Sequence, residues 1–291
     1  MKYIPLFLIA FTLFSCGGNS SETDEDVLST EVDSALINSR VDKAKKVFYS
    51  IPSPYETALI FESSGVGFNI GLLNPIDNVS NYSTSTKQAL NFGVYGADLS
   101  YANIFDQSQQ CMFYMNCAKK MADELGITAA FDVETIERIE RNLNNRDSLM
   151  NIINDSYWIA DSHLKENQQD YLSALSIAGG WIEGLYLGSA GLKKEKPSEP
   201  IMKAIADQKY AMESLIELME LYDHEETIKL KEKLLVIKAS FDKITVSSTS
   251  TSVSSNENVA VISGGSSLQY TPEIIFEIAQ NIKTLRNEII E

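Results

Sequence analysis

Two acidic residues in apolar helical segments are the strongest candidates for chemistry in this chain. Asp98 lies within Gly93–Tyr101 and Glu183 lies within Ala178–Tyr186, where most neighbours are glycine, aliphatic or aromatic. A buried carboxyl group must be paired or hydrogen-bonded. If both carboxyl groups lined one cavity, they could serve as an acid/base pair or as ligands of a metal ion. The alternative is two buried acids that have only a structural role.

Aromatic residues near the two acids could complete a binding site. Tyr101 and Tyr186 follow the acids by about one helical turn, so their hydroxyl groups could donate hydrogen bonds to the carboxylates. An arginine such as Arg138, Arg141 or Arg146 could supply a balancing positive charge. The predicted binding residues are Tyr95, Asp98, Tyr101, Trp181, Glu183 and Tyr186.

The same two segments are unusually rich in glycine for helices. A glycine inside a helix costs about 1 kcal/mol relative to alanine, so close approach by another group must compensate. One explanation is tight packing of two helices, and the other is a ligand cavity floored by bare backbone. The glycines concerned are Gly93, Gly96, Gly179, Gly180 and Gly184.

The two segments also resemble each other. Ala89–Tyr101 aligns with Ala174–Tyr186 at a spacing of 85 residues, with alanine, leucine and tyrosine matching and Asp98 opposite Glu183. This similarity is consistent with a duplicated helical hairpin, although chance is a competing explanation.

The elements that must position these residues are predicted to be almost all α-helical. Ser53 and Glu56 form a capping-box pattern around Pro54, which predicts a helix over 54–63. We expect an all-α fold, either a helical bundle or stacked helical hairpins, with about ten helices. The Ser/Thr-rich stretch at about 244–268 is predicted to be a long loop, with a short β-hairpin near Val259–Ile262 as an option. The other predicted helices span about 32–48, 85–105, 106–125, 132–143, 146–166, 168–188, 201–222, 226–243 and 272–290.

Several kinds of function lack support in the sequence. His163 and His224 do not occur in the Glu-x-x-His spacing of metal sites in helical bundles, and no serine-hydrolase or phosphate-loop motif is present. Cys111 and Cys117 are predicted to be buried thiols, because their spacing places them on different faces of one helix. A net charge of −16 argues against nucleic acid as a partner. We therefore expect no cofactor and no metal ion.

The N-terminus carries the clearest targeting signal. Lys2 precedes the apolar run Tyr3–Phe14, which has the layout of a secretory signal peptide and is too short to span a bilayer. The run ends in Leu13-Phe14-Ser15-Cys16, which resembles the lipobox of bacterial lipoproteins. That resemblance implies a signal peptide at 1–15 and a lipidated Cys16 that attaches the chain to a membrane.

Residues 16–31 are predicted to be a flexible acidic tether, followed by a single helical domain over 32–291. An acidic stretch after the cysteine is similar to the surface lipoproteins of Bacteroidetes, so the chain could face the cell surface or the periplasm from the outer membrane. The helical body also resembles an uncharacterised family of Bacteroidetes lipoproteins over most of 40–240. The resemblance rests on Val47–Glu56, Gly93–Tyr101 and Gly180–Gly184, and it implies no activity.

Three functions remain open at this point. The first is an envelope-anchored lipoprotein that binds a partner protein or a small ligand, without catalysis. The second is an enzyme that uses Asp98 and Glu183 as a carboxylate pair. The third is a purely structural envelope protein.

Overall fold

A computed structural model describes residues 47, 50–143, 145–256 and 259–291. Between 248 and 266 it describes the backbone only. These residues belong to one compact unit, Lys43–Glu291. The predicted signal peptide at 1–15, Cys16, the tether at 16–31 and nearly all of the helix expected at 32–48 lie outside the described residues.

Ten α-helices in the described part of the chain confirm the predicted all-α fold, a helical bundle. Three short 3₁₀ turns connect some of them, at Ile70–Leu72, Ile76–Asn81 and Thr128–Phe131. The helices are α1 (Pro54–Ser63), α2 (Ser85–Ile104), α3 (Ser108–Glu124), α4 (Val133–Asn142), α5 (Arg146–Glu166), α6 (Asp170–Ser189), α7 (Glu199–Asp207), α8 (Lys209–Glu220), α9 (Glu225–Phe241) and α10 (Pro272–Ile290).

Local sequence signals explain where helices begin. At α1, the Ser53 hydroxyl accepts a hydrogen bond from the Glu56 backbone N–H, and the Glu56 carboxylate accepts one from the Ser53 backbone N–H. This reciprocal arrangement confirms the predicted capping box, and Pro54 occupies the first helical position. At α9, the Nδ1 atom of His224 accepts from the Glu226 backbone N–H, so this histidine is a helix cap.

Helices α2 and α6 form the centre of the bundle. Most of α2 from Ala89 onward and most of α6 from Leu172 onward are buried, which is typical of helices surrounded on all sides. The two helices pack against each other, α1 packs against both, and α10 packs against α6. The central position of α2 and α6 places the glycine-rich segments and both acids in the interior.

The structure corrects two predicted elements. The helix expected over 201–222 is divided at Gln208 into α7 and α8. The stretch predicted to be a loop forms an antiparallel hairpin, β1 (Thr245–Asn256) with β2 (Val259–Gln269). Its threonine and valine residues favour extended backbone, and the Ser247 and Ser267 hydroxyl groups bond across the strands at 2.9 Å.

Candidate functional site

The glycines of α2 and α6 allow direct contact between the two helix backbones. A Cβ atom at Gly93 would lie 1.9 Å from the Ser176 carbonyl oxygen, and one at Gly179 would lie 2.1 Å from the Leu90 carbonyl oxygen. Neither position can hold a side chain without moving a helix. The structure supports close helix packing as the explanation for these glycines. The alternative, a ligand cavity lined by glycine backbone, has no support, because neither described cavity is lined by a glycine.

This packing brings Asp98 and Glu183 together. Both side chains have no exposed surface, and their carboxyl groups are within hydrogen-bonding reach of each other. Leu90 meets Gly179 and Asp98 meets Glu183, so the two helices run in the same direction. The two acids, whose relative position the sequence left open, therefore form a pair in the interior of the bundle.

The positive charge beside this pair comes from Arg286 on α10, which the sequence reasoning missed. Its Nε and one terminal nitrogen donate to the two Glu183 carboxylate oxygens at 2.7 and 2.9 Å, and the same terminal nitrogen donates to the Leu72 carbonyl at 2.9 Å. The Arg286 side chain is 6% exposed and that of Glu183 is 0% exposed, so this two-point ion pair is buried.

The three arginines proposed from the sequence as partners of the acids lie elsewhere. Each forms an ion pair away from α6, so the proposal was wrong. The pairs are Arg138 with Asp155, Arg141 with Glu137 and Arg146 with Glu62. Local spacing could not have singled out Arg286, because it lies 103 residues from Glu183 along the chain.

Asp98 is in a different electrostatic position from Glu183. One carboxyl oxygen accepts from the Asn74 backbone N–H at 3.1 Å, whereas the other has no hydrogen-bond donor among the described residues. Burial and the nearby negative charge of Glu183 raise the pKa of Asp98 well above its usual range. Burial also raises the pKa of Glu183, but Arg286 opposes that shift. Of the two acids, Asp98 is therefore the one whose surroundings favour the neutral, protonated form.

The proposed tyrosine donors have other partners. The Tyr101 hydroxyl donates to the Gly67 carbonyl at 2.6 Å and accepts from the Asn69 backbone N–H at 3.0 Å. Tyr186 presents its ring face to the Arg286 guanidinium, 4.5 Å from the ring centre. The expectation that these hydroxyl groups would hydrogen-bond the acids was wrong, although Tyr186 contacts the cluster through Arg286.

The remaining predicted binding residues, Tyr95 and Trp181, are buried, and their polar atoms already form hydrogen bonds within the protein. The Tyr95 hydroxyl donates to the Pro75 carbonyl at 3.3 Å. The Trp181 indole N–H donates to the Gln208 side-chain oxygen at 3.2 Å, which connects α6 to the break between α7 and α8. Tyr95 and Trp181 have 0% and 1% of their surface exposed, so neither can contact a ligand without rearrangement of the bundle.

Two cavities among the described residues are large enough to hold a small molecule, and neither acid lines either of them. The first, which we name the α1–α5–α6 cavity, has a volume of about 270 Å³ and lies between the start of α1, the middle of α5 and the first half of α6. The second is a wider cleft of about 550 Å³ between α6 and α10, and Tyr186 is the one predicted binding residue that lines it. A ligand in the first cavity would contact Phe92, Tyr157, Trp158 and Asp161, none of which was predicted from the sequence.

The α1–α5–α6 cavity is a built site with aromatic walls. The Tyr157 ring stacks on the Phe92 ring at 5.0 Å, and its hydroxyl donates to the Phe92 carbonyl at 3.0 Å. Trp158 lines the same cavity and is 41% exposed. Asp161 is 7% exposed, and its two oxygens accept from the Ser173 hydroxyl and from Lys165. Apolar walls with a few fixed polar groups are typical of small-molecule sites.

Other chemistry has little support within the described residues. No group of histidine, cysteine, aspartate and glutamate there could hold a metal ion. Cys111 and Cys117 are the predicted buried, unbridged thiols, and burial raises the pKa of each to about 12. No described helix combines the length and apolar character needed to cross a bilayer.

Comparison with known proteins gives no relative for this chain. No family model, curated protein or solved structure matches it.

Proposed function

We propose that this chain is an envelope lipoprotein, anchored at the outer membrane through Cys16, whose helical body binds a small ligand with an apolar body in the α1–α5–α6 cavity. The observation that carries the binding part is the cavity itself, with its stacked Tyr157 and Phe92 rings and its buried Asp161. The lipobox-like Leu13-Phe14-Ser15-Cys16 supports the anchor.

The size of the cavity defines the size of the ligand. Its volume of about 270 Å³ is just below the roughly 300 Å³ at which drug-sized pockets begin. A single substituted aromatic ring or a short branched aliphatic chain fits this volume.

An enzyme that uses Asp98 and Glu183 is less well supported. Both carboxyl groups are completely buried, neither lines a described cavity, and Arg286 occupies both oxygens of Glu183. A substrate would have to displace Arg286 or open the packed α2–α6 contact.

Fluorine NMR with para-fluorotoluene, an uncharged probe of suitable size, tests ligand binding. We expect its signal to broaden in the presence of the protein and Trp158→Ala to weaken this binding several-fold, because Trp158 contributes one wall. Tyr210→Ala is the matched control, since Tyr210 is a 52% exposed aromatic residue that does not line the cavity. Equal effects of the two substitutions, or no broadening at all, would count against the proposal.

Metabolic labelling with palmitate tests the anchor separately. The wild-type chain should incorporate label and Cys16→Ser should not, whereas Cys117→Ser, which changes a buried thiol, should label like the wild type. Label that persists in Cys16→Ser would show that lipid is attached elsewhere.

A further inference from the structure

Four of the six side-chain hydroxyl groups that line the α1–α5–α6 cavity donate their protons away from it. These four, on α2, α5 and α6, each donate to a neighbouring carbonyl or carboxylate oxygen, so each presents only lone pairs to the cavity. The pairs are Ser100 to the Gly96 carbonyl (2.7 Å), Tyr157 to the Phe92 carbonyl (3.0 Å), Ser176 to the Leu172 carbonyl (2.9 Å) and Ser173 to the Asp161 carboxylate.

The charged groups of the lining are both acidic. Asp161 on α5 and Glu56 on α1 line the cavity, and no lysine, arginine or histidine is among the described lining residues. Lys165 pairs with Asp161 at 2.7 Å from outside the lining and offsets its charge. Glu56 is exposed and uses one oxygen to accept from the Ser53 backbone N–H. The lining as a whole therefore keeps a negative excess.

The other side-chain donor groups of the lining carry no charge. They are the hydroxyls of Ser53 and Tyr55 near the start of α1, and the Asn154 amide and Trp158 indole on α5. The start of α1 is a positive helix end, but its capping box already occupies the Ser53 and Glu56 backbone N–H groups. An anionic ligand would meet carboxylates and lone pairs, which repel it.

Aromatic ring faces in the lining add to the preference for a cationic ligand over an anionic one. The rings of Tyr157 and Trp158 line the cavity together with the acids, and such faces attract a cation by about 0.5 to 2 kcal/mol. Burial raises the pKa of Tyr157, so its hydroxyl stays protonated and continues to donate to Phe92. A ligand that donates hydrogen bonds and carries a positive charge thus complements the two acids and the four hydroxyl groups that present lone pairs.

We propose that the α1–α5–α6 cavity takes a small protonated amine with an apolar, preferably aromatic, body. The ammonium group lies near Asp161 and Glu56 and donates to the lining oxygens, and the apolar body packs against Phe92 and Ile177. This inference rests on the proposed binding function and names the ligand class for the same cavity.

A matched set of probes tests the proposal on the full-length protein. Fluorine NMR titrations compare para-fluorobenzylamine, para-fluorobenzyl alcohol and para-fluorobenzoate, which share one ring and differ in charge. We expect the amine to bind about tenfold tighter than the alcohol, the gain typical of one charge-assisted hydrogen bond, and the benzoate to bind most weakly. A benzoate that binds as tightly as the amine overturns the amine proposal.

Two variants connect the preference to the acids. Asp161→Asn and Glu56→Gln should each reduce the ratio of amine to alcohol affinity and leave para-fluorotoluene binding unchanged. Glutamine in place of Glu56 preserves a capping box, so this variant remains informative if Asp161→Asn does not fold. Glu62→Gln, on α1 but outside the cavity lining, is the control and should keep the full preference.

The outcomes separate the two proposals. Binding of para-fluorotoluene without a preference for the amine refutes the ligand class and leaves the proposed function in place. Failure of all four probes to bind refutes the proposed function as well.

Discussion

Asp98 and Glu183 occupy matching positions in two similar helices, 85 residues apart, and their carboxyl groups meet in the core. The backbone contacts are reciprocal too. Gly93 contacts the carbonyl three residues before Gly179, and Gly179 contacts the carbonyl three residues before Gly93. These contacts relate positions that are 86 residues apart, whereas the sequence alignment is at 85 residues and places Ala178 opposite Gly93, so the contact pattern and the sequence similarity differ by one residue in register.

Removal of the arginine should strongly destabilise the fold. Arg286→Met leaves Glu183 buried without a counter-charge, which costs about 3 to 5 kcal/mol, and urea unfolding measures the loss. Lys283→Met is the matched control, because Lys283 is an exposed cation on the same helix, α10. A loss for Arg286→Met no larger than that of the control would mean that the buried ion pair contributes little.

The two acids should differ in their tolerance of amides. Asn at position 98 can accept from the Asn74 N–H and donate to Glu183 as protonated Asp98 does, so Asp98→Asn should cost less than about 1 kcal/mol. Glu183→Gln removes the negative partner of Arg286 and should cost about 3 kcal/mol or more. Urea unfolding of both variants measures these losses of unfolding free energy. A larger loss for Asp98→Asn than for Glu183→Gln would place the proton on Glu183.

Stability should also depend on pH through Asp98. Because its pKa in the fold is raised, the contribution of Asp98 is fully present below its ordinary pKa and is lost as the pH rises through the raised value. Unfolding free energies measured from acidic to alkaline pH should therefore fall more steeply for the wild-type protein than for Asp98→Asn. Parallel curves for the two proteins would contradict protonation of Asp98.

The α2–α6 contact should not tolerate a methyl group. Gly179→Ala places a Cβ atom within 2.1 Å of the Leu90 carbonyl oxygen, and overpacking of this kind costs typically about 1 to 3 kcal/mol. Gly67→Ala is the control, because Gly67 has open space around it and no positive φ. Thermal unfolding should separate the two variants, and equal melting temperatures would show that the helices can move apart freely.

Local signals predicted most of the helices, and long-range packing determined what they missed. The capping box at Ser53 and the apolar spacing over 146–166 gave the correct bounds for α1 and α5. The break at Gln208, where the side chain accepts a hydrogen bond from Trp181 on α6, was missed because no glycine or proline marks it in the sequence. The hairpin was offered only as a short option near Val259–Ile262, and its full extent was missed because serine-rich composition is common to loops and to polar strands.

In the candidate site too, local sequence patterns identified some residues, and long-range packing determined the others. Glycine and acid patterns along α2 and α6 singled out Asp98 and Glu183, but whether the two acids meet depended on how the two helices pack. The identity of their counter-ion depended on how α10 packs, which no local pattern encodes. The lining of the α1–α5–α6 cavity comes from four helices in all, so periodicity within any one of them could not reveal it.

The attachment of α10 has a consequence for the order of events during synthesis. Arg286 neutralises Glu183, and the Asn91 amide and the Tyr82 hydroxyl bond to carbonyls of Ile289 and Ile290. All three contacts join the last turns of α10 to elements that are translated much earlier. In a nascent chain that lacks α10, Glu183 has no counter-charge, so burying it between α2 and α6 costs free energy until Arg286 has been made. We therefore expect the closed α2–α6 core to be stable only after the last turns of α10 have been synthesised.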